Sequence, residues 1–296
     1  MVAHKNVPLS VFLHVSNKRS FEFYANIINK DKFENVVEPN AASIESFISS
    51  LDYQPRQAYI DGLLIRRDQE MLEQSEFDWM TSDKRACNFA WLYLRKSTET
   101  DLVQFLEPEG LFKNRHYSEN DTFENLVITG KPTNYENNLQ DIKKFYDLQV
   151  WGKSAKKNLM SSLEAIWTER YQDRLNFAWL NKKDDEQCEW AWEYTKRNFE
   201  ESGFFKPIKP SAMYGAIYAV LDCWDVGVDT KKLFSSRFKK AWDQKVYRNK
   251  QVGRSPLNVY IDKDSKKMLD LMADRRHENI YQTLERLIKK AHKEGF

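Results

Sequence analysis

The chain has 296 residues, of which 41% are hydrophobic and 14% aromatic, so it can bury a substantial core and is not expected to be disordered. Only nine Gly and eight Pro residues favour a mainly α-helical fold over a barrel or sandwich, which needs more turns. The net charge is +2, no apolar run approaches the roughly 20 residues that span a bilayer, and no secretory signal is recognised, so we expect a cytoplasmic protein that does not enter membranes.

The cysteines and histidines do not form a metal-site or disulfide pattern. Cys87, Cys188 and Cys223 are odd in number and lack CxxC spacing, and the five His residues are scattered. We therefore expect buried thiols and no metal or other cofactor.

Residues 1–228 are predicted to form a large helical body, with possible halves at 1–135 and 136–228. The apolar start "VPLSVFLHV" is either a strand or an extended arm, and 107–134 is rich in loop residues. Apolar residues at three and four spacing predict amphipathic helices in between and beyond. The predicted helical stretches are 55–74, 82–106, 137–151, 154–182, 185–201 and 210–224.

A short aromatic pattern recurs in this body, in "CNFAWLYLRK", "LNFAWLNKK" and "CEWAWEYTKR". It is either a set of platforms that stack nucleobases or, as we favour, the packing signature of duplicated helical segments, in which a small Ala lets helices approach closely. The second hypothesis places six aromatic side chains mainly in the core, namely Phe89, Trp91, Phe177, Trp179, Trp190 and Trp192.

No enzyme motif stands out. The chain lacks GxGxxG, GxxxxGK[ST] and GxSxG, and no cluster of carboxylates rises above the background of 44 acids. We therefore do not expect an enzyme.

Positive charge is concentrated near the C-terminal end. Residues 231–254 contain nine Lys or Arg and one acid, a net +8, and 255–296 contain nine bases and seven acids, a net +2, which leaves −8 for 1–230. Residues 229–252 are predicted to form a basic helix, with Leu233, Phe238, Trp242 and Val246 along one side. Such a surface suits binding to the phosphates of a polyanion.

The last segment, 253–296, is predicted to contain one strand and two helices. Leu257, Val259 and Ile261 alternate with polar residues in "SPLNVYID", as in a strand with one buried face. So small a unit cannot bury enough surface alone, so we expect it to pair with a second copy. The predicted dimer core is Leu257, Val259, Ile261, Leu269, Met272, Ile280, Leu284, Leu287 and Ile288.

This segment resembles the ribbon-helix-helix DNA-binding family, which includes proteins of the Arc and MetJ type, and is most similar to its MatP-type macrodomain-organising members. The residues that carry the resemblance are "NVYID", "LDLMADRR" and "NIYQTLERLIKKA", with the basic "FKKAWDQKVYRNK" ahead of them. It covers about sixty residues and departs from the family at the turn, where "RRHEN" stands instead of a Gly. The implied fold is a C-terminal β-α-α dimerisation module behind a helical body.

The resemblance also implies roles for individual residues. Asn258 and Tyr260 would read base edges in the DNA major groove. The phosphate contacts would come from basic side chains and from backbone amides at the start of the second helix, namely Lys239, Lys240, Lys245, Arg248, Lys250, Arg254, Asn279, Ile280 and Tyr281.

The predicted function is thus a bacterial, nucleoid-associated homodimer that binds double-stranded DNA at specific sites, in transcriptional regulation or chromosome or plasmid organisation. The first alternative is a protein-interaction or oligomerisation platform, with its partner on the N-terminal body and DNA binding that serves only autoregulation. A nucleic-acid-processing enzyme ranks third.

Overall fold

The computed structural model describes residues 17–31, 36–106, 123, 126, 128, 130–253 and 255–295. Within them the fold is mainly α-helical, as predicted. The apolar start "VPLSVFLHV" and most of the loop-rich interval after residue 106 lie outside the described residues.

The helices follow one another with short connections. In chain order they are α1 Lys18–Asp31, α2 Ala41–Ser49, α3 Tyr53–Glu70, α4 Asp78–Ser82, α5 Lys84–Lys96, α6 Glu99–Leu106, α7 Tyr135–Leu148, α8 Lys153–Gln172, α9 Asp185–Asn198, α10 Pro210–Cys223, α11 Val228–Lys250, α12 Lys263–Arg276 and α13 Ile280–Lys293. Two 3₁₀ turns, Gln74–Phe77 and Glu200–Phe204, complete the described secondary structure.

Polar side chains fix where several of these helices begin. The side chains of Asn40, Asn134 and Asp184 each accept a hydrogen bond from the backbone N–H three residues later, at 2.9 Å. These bonds satisfy amide donors that the first helical turn leaves without a partner. The helix starts are therefore encoded locally.

The predicted C-terminal strand is absent, which overturns the predicted ribbon-helix-helix fold. Residues 255–262 form neither helix nor strand, and no strand occurs among the described residues. Leu257, Val259 and Ile261 are 61%, 62% and 47% exposed, so the alternating pattern does not produce a buried face. A strand needs a neighbouring segment to pair its N–H and C=O groups, and the described part of the chain supplies none.

The prediction that the recurring aromatic pattern marks three duplicated helical segments is wrong for one of the three. "LNFAWLNKK" lies between α8 and α9 in turns, because α8 ends at Gln172 instead of continuing to residue 182. The prediction that the aromatic residues pack in the core is confirmed for Phe89, Trp91, Phe177 and Trp192, which are at most 6% exposed. Trp179 and Trp190 are partly buried against the same core.

The chain divides into two compact units, Met1–Trp242 and Asp243–Phe296. The first unit contains two hydrophobic clusters. The smaller one joins α1, α2 and α3 through side chains such as Tyr24, Ile48 and Leu63, and the larger one joins α4 to α11 around Trp91 and Tyr146. Burial of this amount of apolar surface is the main source of stability.

Charged groups connect the two clusters of the first unit. Arg19 on α1 makes two 2.7 Å hydrogen bonds to the carboxylate of Asp147 on α7. Lys156 on α8 is fully buried and donates from Nζ to the carbonyl oxygen of Glu70 at 2.7 Å, at the end of α3. Burial lowers the pKa of Lys156 to about 8. Each contact satisfies polar groups that would otherwise be costly to bury.

A second ion pair braces α5 against α10. Arg85 binds Asp222 with two hydrogen bonds of 2.6 Å, its Nη2 also donates to the carbonyl of Leu175 at 2.9 Å, and its guanidinium lies 4.1 Å from the ring centre of Tyr218. Paired, planar contacts of this kind are geometrically specific. They hold the N-terminal end of α5 beside α10.

The three cysteines are buried and free, which confirms the predicted buried thiols. Burial raises the pKa of Cys188 to about 11. None of the described helices is both long and apolar enough to cross a membrane.

Candidate nucleic-acid interface

The apolar side of α11 is fixed by an aromatic cluster in the first unit. Phe238 is fully buried, and its ring lies 4.9 Å from that of Tyr194, 5.0 Å from that of Trp179 and 5.4 Å from that of Phe177. Trp190 contacts both Phe238 and Trp242, at 5.7 and 5.1 Å. Offset and edge-on aromatic pairs add to the energy of burial itself.

The predicted apolar side of α11 is wrong at one position. Leu233 is 52% exposed, whereas Phe234 packs on the rings of Phe199 and Trp224 at 5.2 and 5.6 Å. Positions 234, 238 and 242 are four residues apart and share a helical face, and 233 falls off that face.

The remaining surface of α11 is basic and open to solvent. Among the predicted phosphate contacts, Lys239, Lys240, Arg248 and Lys250 are exposed, and Lys245 is half-buried. Arg254 lies outside the described residues. With Phe234 and Phe238 turned to the core, the bases occupy the sides of α11 that point away from it.

The second unit is built around the helical hairpin of α12 and α13. Asp262 caps α12 by accepting hydrogen bonds from the amides of Asp264 and Ser265. Gln282 accepts from the amide of Asn279 at 2.8 Å in a capping box at the start of α13. These caps define both helix starts.

His277 forms the turn between α12 and α13. Its φ of 54° and ψ of 36° place it in the left-handed region. The amide of Glu278 donates to the carbonyl of Ala273 at 3.0 Å, which closes the end of α12. Glu278 in turn accepts from Thr283 and Arg286 at 3.1 and 3.2 Å and so ties the turn to α13.

The hairpin leaves much of its apolar surface uncovered. Only Leu269, Ala273 and Thr283 are buried in it. Of the remaining predicted dimer-core residues of the two helices, Met272, Ile280 and Ile288 are 40%, 40% and 58% exposed, and Leu284 and Leu287 are half-buried. We call the exposed residues Met268, Leu271, Met272, Ile280 and Ile288 the apolar hairpin face.

The predicted base-reading residues are accessible. Asn258 is exposed, and Tyr260 is as exposed as in an isolated peptide. At the start of α13, Ile280 and Tyr281 are 40% and 42% exposed. The amide of Asn279 already donates to Gln282, so a phosphate at that amide would have to displace the Gln282 side chain.

Four further bases of the second unit are candidate phosphate contacts that the sequence analysis did not select: Arg275, Arg276, Lys289 and Lys293. All four are exposed, and Lys289 and Lys293 are one helical turn apart on α13. The four-residue spacing of Lys289 and Lys293 is visible in the sequence and is the signal that identifies them.

No group of three or more His, Cys, Asp or Glu side chains in the described part of the chain could hold a metal ion. Comparisons with protein-family models, curated proteins and solved structures found no match. The assignment of function therefore depends on the residues themselves.

Replacing Phe238 with Ala should lower the free energy of unfolding by about 3–5 kcal/mol, because it removes the ring at the centre of the aromatic cluster. Leu233→Ala is the matched control on the same helix, and its exposed side chain predicts a change within about 0.5 kcal/mol. Urea denaturation followed by tryptophan fluorescence measures both. Equal effects of the two substitutions would contradict the described orientation of α11.

Proposed function

We propose that the protein binds double-stranded DNA at specific sites as a homodimer, through basic residues of α11 and of its C-terminal unit. The observation that carries the proposal is the exposed basic surface of α11, within a segment of nine bases and one acid. Lys and Arg side chains that neutralise phosphates release condensed counterions, which favours binding.

The distribution of charge supports a polyanionic partner at this end of the chain. Residues 1–230 carry a net −8, so a nucleic acid is repelled by the body and attracted by 231–254, whose net charge is +8. Long-range attraction of this kind orients the encounter, while base contacts supply the specificity. We assign that reading to the exposed side chains of Asn258 and Tyr260.

The apolar hairpin face supports dimerisation with a second copy. Five large apolar side chains on two short helices are 40–58% exposed. A unit of about 54 residues with only three buried hairpin residues gains little from its own packing. Association through these side chains would bury them and bring the basic surfaces of two chains into one dimer.

Regulation of transcription and organisation of a chromosome or plasmid both follow from such binding, and nucleoid association in the cytoplasm would accompany either. The number and placement of bound sites distinguish them, because an organiser occupies many loci and an autoregulator its own promoter.

The apolar hairpin face also favours a second candidate function, that of a protein-interaction platform. Exposed apolar patches mark docking sites for other proteins as well as for a second copy. In that case the hairpin would bind a different partner, and DNA binding would serve only autoregulation.

The variant K239Q/K240Q/K250Q should bind a 30-base-pair duplex more weakly and with a weaker salt dependence. In the dimer the variant loses three phosphate contacts per chain, six in all, which should reduce the slope of log K against log salt by about 5. Fluorescence anisotropy of labelled duplex at 50 to 200 mM KCl measures the slope.

The matched control is K144Q/K182Q/K183Q, which removes three exposed lysines from the first unit and leaves α11 intact. It should keep the wild-type slope. If both triple variants change the slope equally, net charge and not the surface of α11 governs binding.

The variant M272E/I288E should convert a dimer of 35.2 kDa chains into monomers, because each chain would have to bury two carboxylates in the interface. The control I65E/V150E alters two side chains of the first unit that are 55% and 77% exposed, and it should remain dimeric. Sedimentation equilibrium measures the mass. A monomeric wild-type protein, or a dimeric M272E/I288E variant, would contradict dimerisation through the hairpin face.

A further inference from the structure

A cleft of about 840 Å³ opens in the first unit, and none of its lining residues belongs to α11. It lies where the N-terminal ends of α5, α7 and α10 converge and is bordered by residues 182–183. Its volume is within the range of small-molecule binding sites.

Two buried amide side chains line this cleft and have unused hydrogen-bonding groups. Asn138 is 3% exposed and donates from Nδ2 to Oδ1 of Asn88 at 2.7 Å, but its own Oδ1 has no partner among the described residues. Nδ2 of Asn88 likewise makes no hydrogen bond to the described part of the chain. Buried polar groups are rarely left unpaired, so the unpaired acceptor of Asn138 indicates a missing partner.

Gly215 provides the space for this pair. A Cβ atom at Gly215 would lie 2.7 Å from Nδ2 of Asn88, which is closer than real Cβ contacts. The absence of a side chain at this position of α10 therefore allows the Asn88 amide to occupy the cleft wall.

The charge of the cleft is positive although the surrounding body is acidic. Its lining has five bases and two acids, a net +3, within residues 1–230 that carry a net −8. Arg85 is already bound to Asp222. Lys182, Lys183 and Lys209 are exposed and form no ion pair within the described residues.

The start of α10 adds to this positive potential. Lys209 is the N-cap of α10, which has neither a side-chain cap nor an acidic residue in its first turn. The start of α5 is already compensated, because Asp83 accepts a hydrogen bond from the amide of Arg85 and Glu136 pairs with Lys84 at 4.0 Å. A positive side chain at a positive helix end is unfavourable by itself, and an anion near Lys209 would compensate it.

Aromatic rings complete the lining. Tyr135, Tyr214 and Tyr218 border the cleft, and Nζ of Lys84 lies 5.1 Å from the ring centre of Tyr135. A planar group can stack on such rings while its edge meets the amides.

From these features we propose that the cleft binds a nucleoside phosphate. Its base would pair with Oδ1 of Asn138 and Nδ2 of Asn88, since every nucleobase has an edge with a neighbouring donor and acceptor. Its phosphate would lie near Lys182, Lys183 and the start of α10. The site is separate from the proposed DNA-binding residues and would make the protein responsive to a small molecule.

The test is isothermal titration calorimetry of the full-length protein with AMP, GMP, CMP and UMP, and with inorganic phosphate. At least one nucleotide should bind at least tenfold more tightly than inorganic phosphate. K182Q/K183Q should weaken the binding of that nucleotide at least tenfold, and Asn138→Leu should weaken its binding similarly. K18Q/K144Q, which removes two exposed lysines that belong neither to the cleft lining nor to the proposed DNA-binding surface, is the control and should bind it as the wild type does.

Three results would overturn the proposal: no binding of any of the four nucleotides, binding of inorganic phosphate as tight as that of the best nucleotide, or unchanged nucleotide binding by K182Q/K183Q. The double lysine variant alters only exposed side chains, so it remains informative if Asn138→Leu fails to fold.

Discussion

The burial of Phe238 is the contact on which the organisation of the chain around α11 depends. Its ring is enclosed by Phe177, Trp179, Trp190 and Tyr194, which come from the segment before α9 and from α9 itself. Because Phe234 and Phe238 hold one face of this 23-residue helix against the core, basic residues on its other faces, such as Lys239 and Lys240, are exposed. The packing of Phe238 in the core thus places the basic residues of α11 on the surface.

The two ends of the chain each leave one property uncompensated. Residues 1–230 bury large aromatic clusters and carry a net −8, whereas residues 231–254 carry a net +8 and the second unit leaves the apolar hairpin face uncovered. Binding to DNA would offset the charge of the basic surface, and association with a second copy would cover the apolar hairpin face. Within residues 1–230, the positive cleft is a local exception, and Oδ1 of the buried Asn138 has no partner there among the described residues. The apolar hairpin face and the cleft are both surfaces that we expect another molecule to cover.

The helices could be predicted from the sequence because apolar spacing and capping residues such as Asn134 and Asn279 act locally. The strand could not be inferred safely from Leu257, Val259 and Ile261, because alternation describes side chains, whereas a strand requires a partner for its backbone. The charge of α11 was evident in the sequence. The cleft was not, because Asn88, Asn138 and Gly215 are far apart in the chain and meet only through tertiary packing.

Site-specific DNA binding is the central claim, and genome-wide mapping of DNA crosslinked to the protein tests it most directly. The wild type is predicted to occupy discrete sites that share a sequence. The N258A/Y260A variant changes only two exposed side chains and should lose those sites while keeping its nonspecific affinity for duplex DNA. A wild-type profile without enriched sites, or an unchanged profile for the variant, would contradict the account.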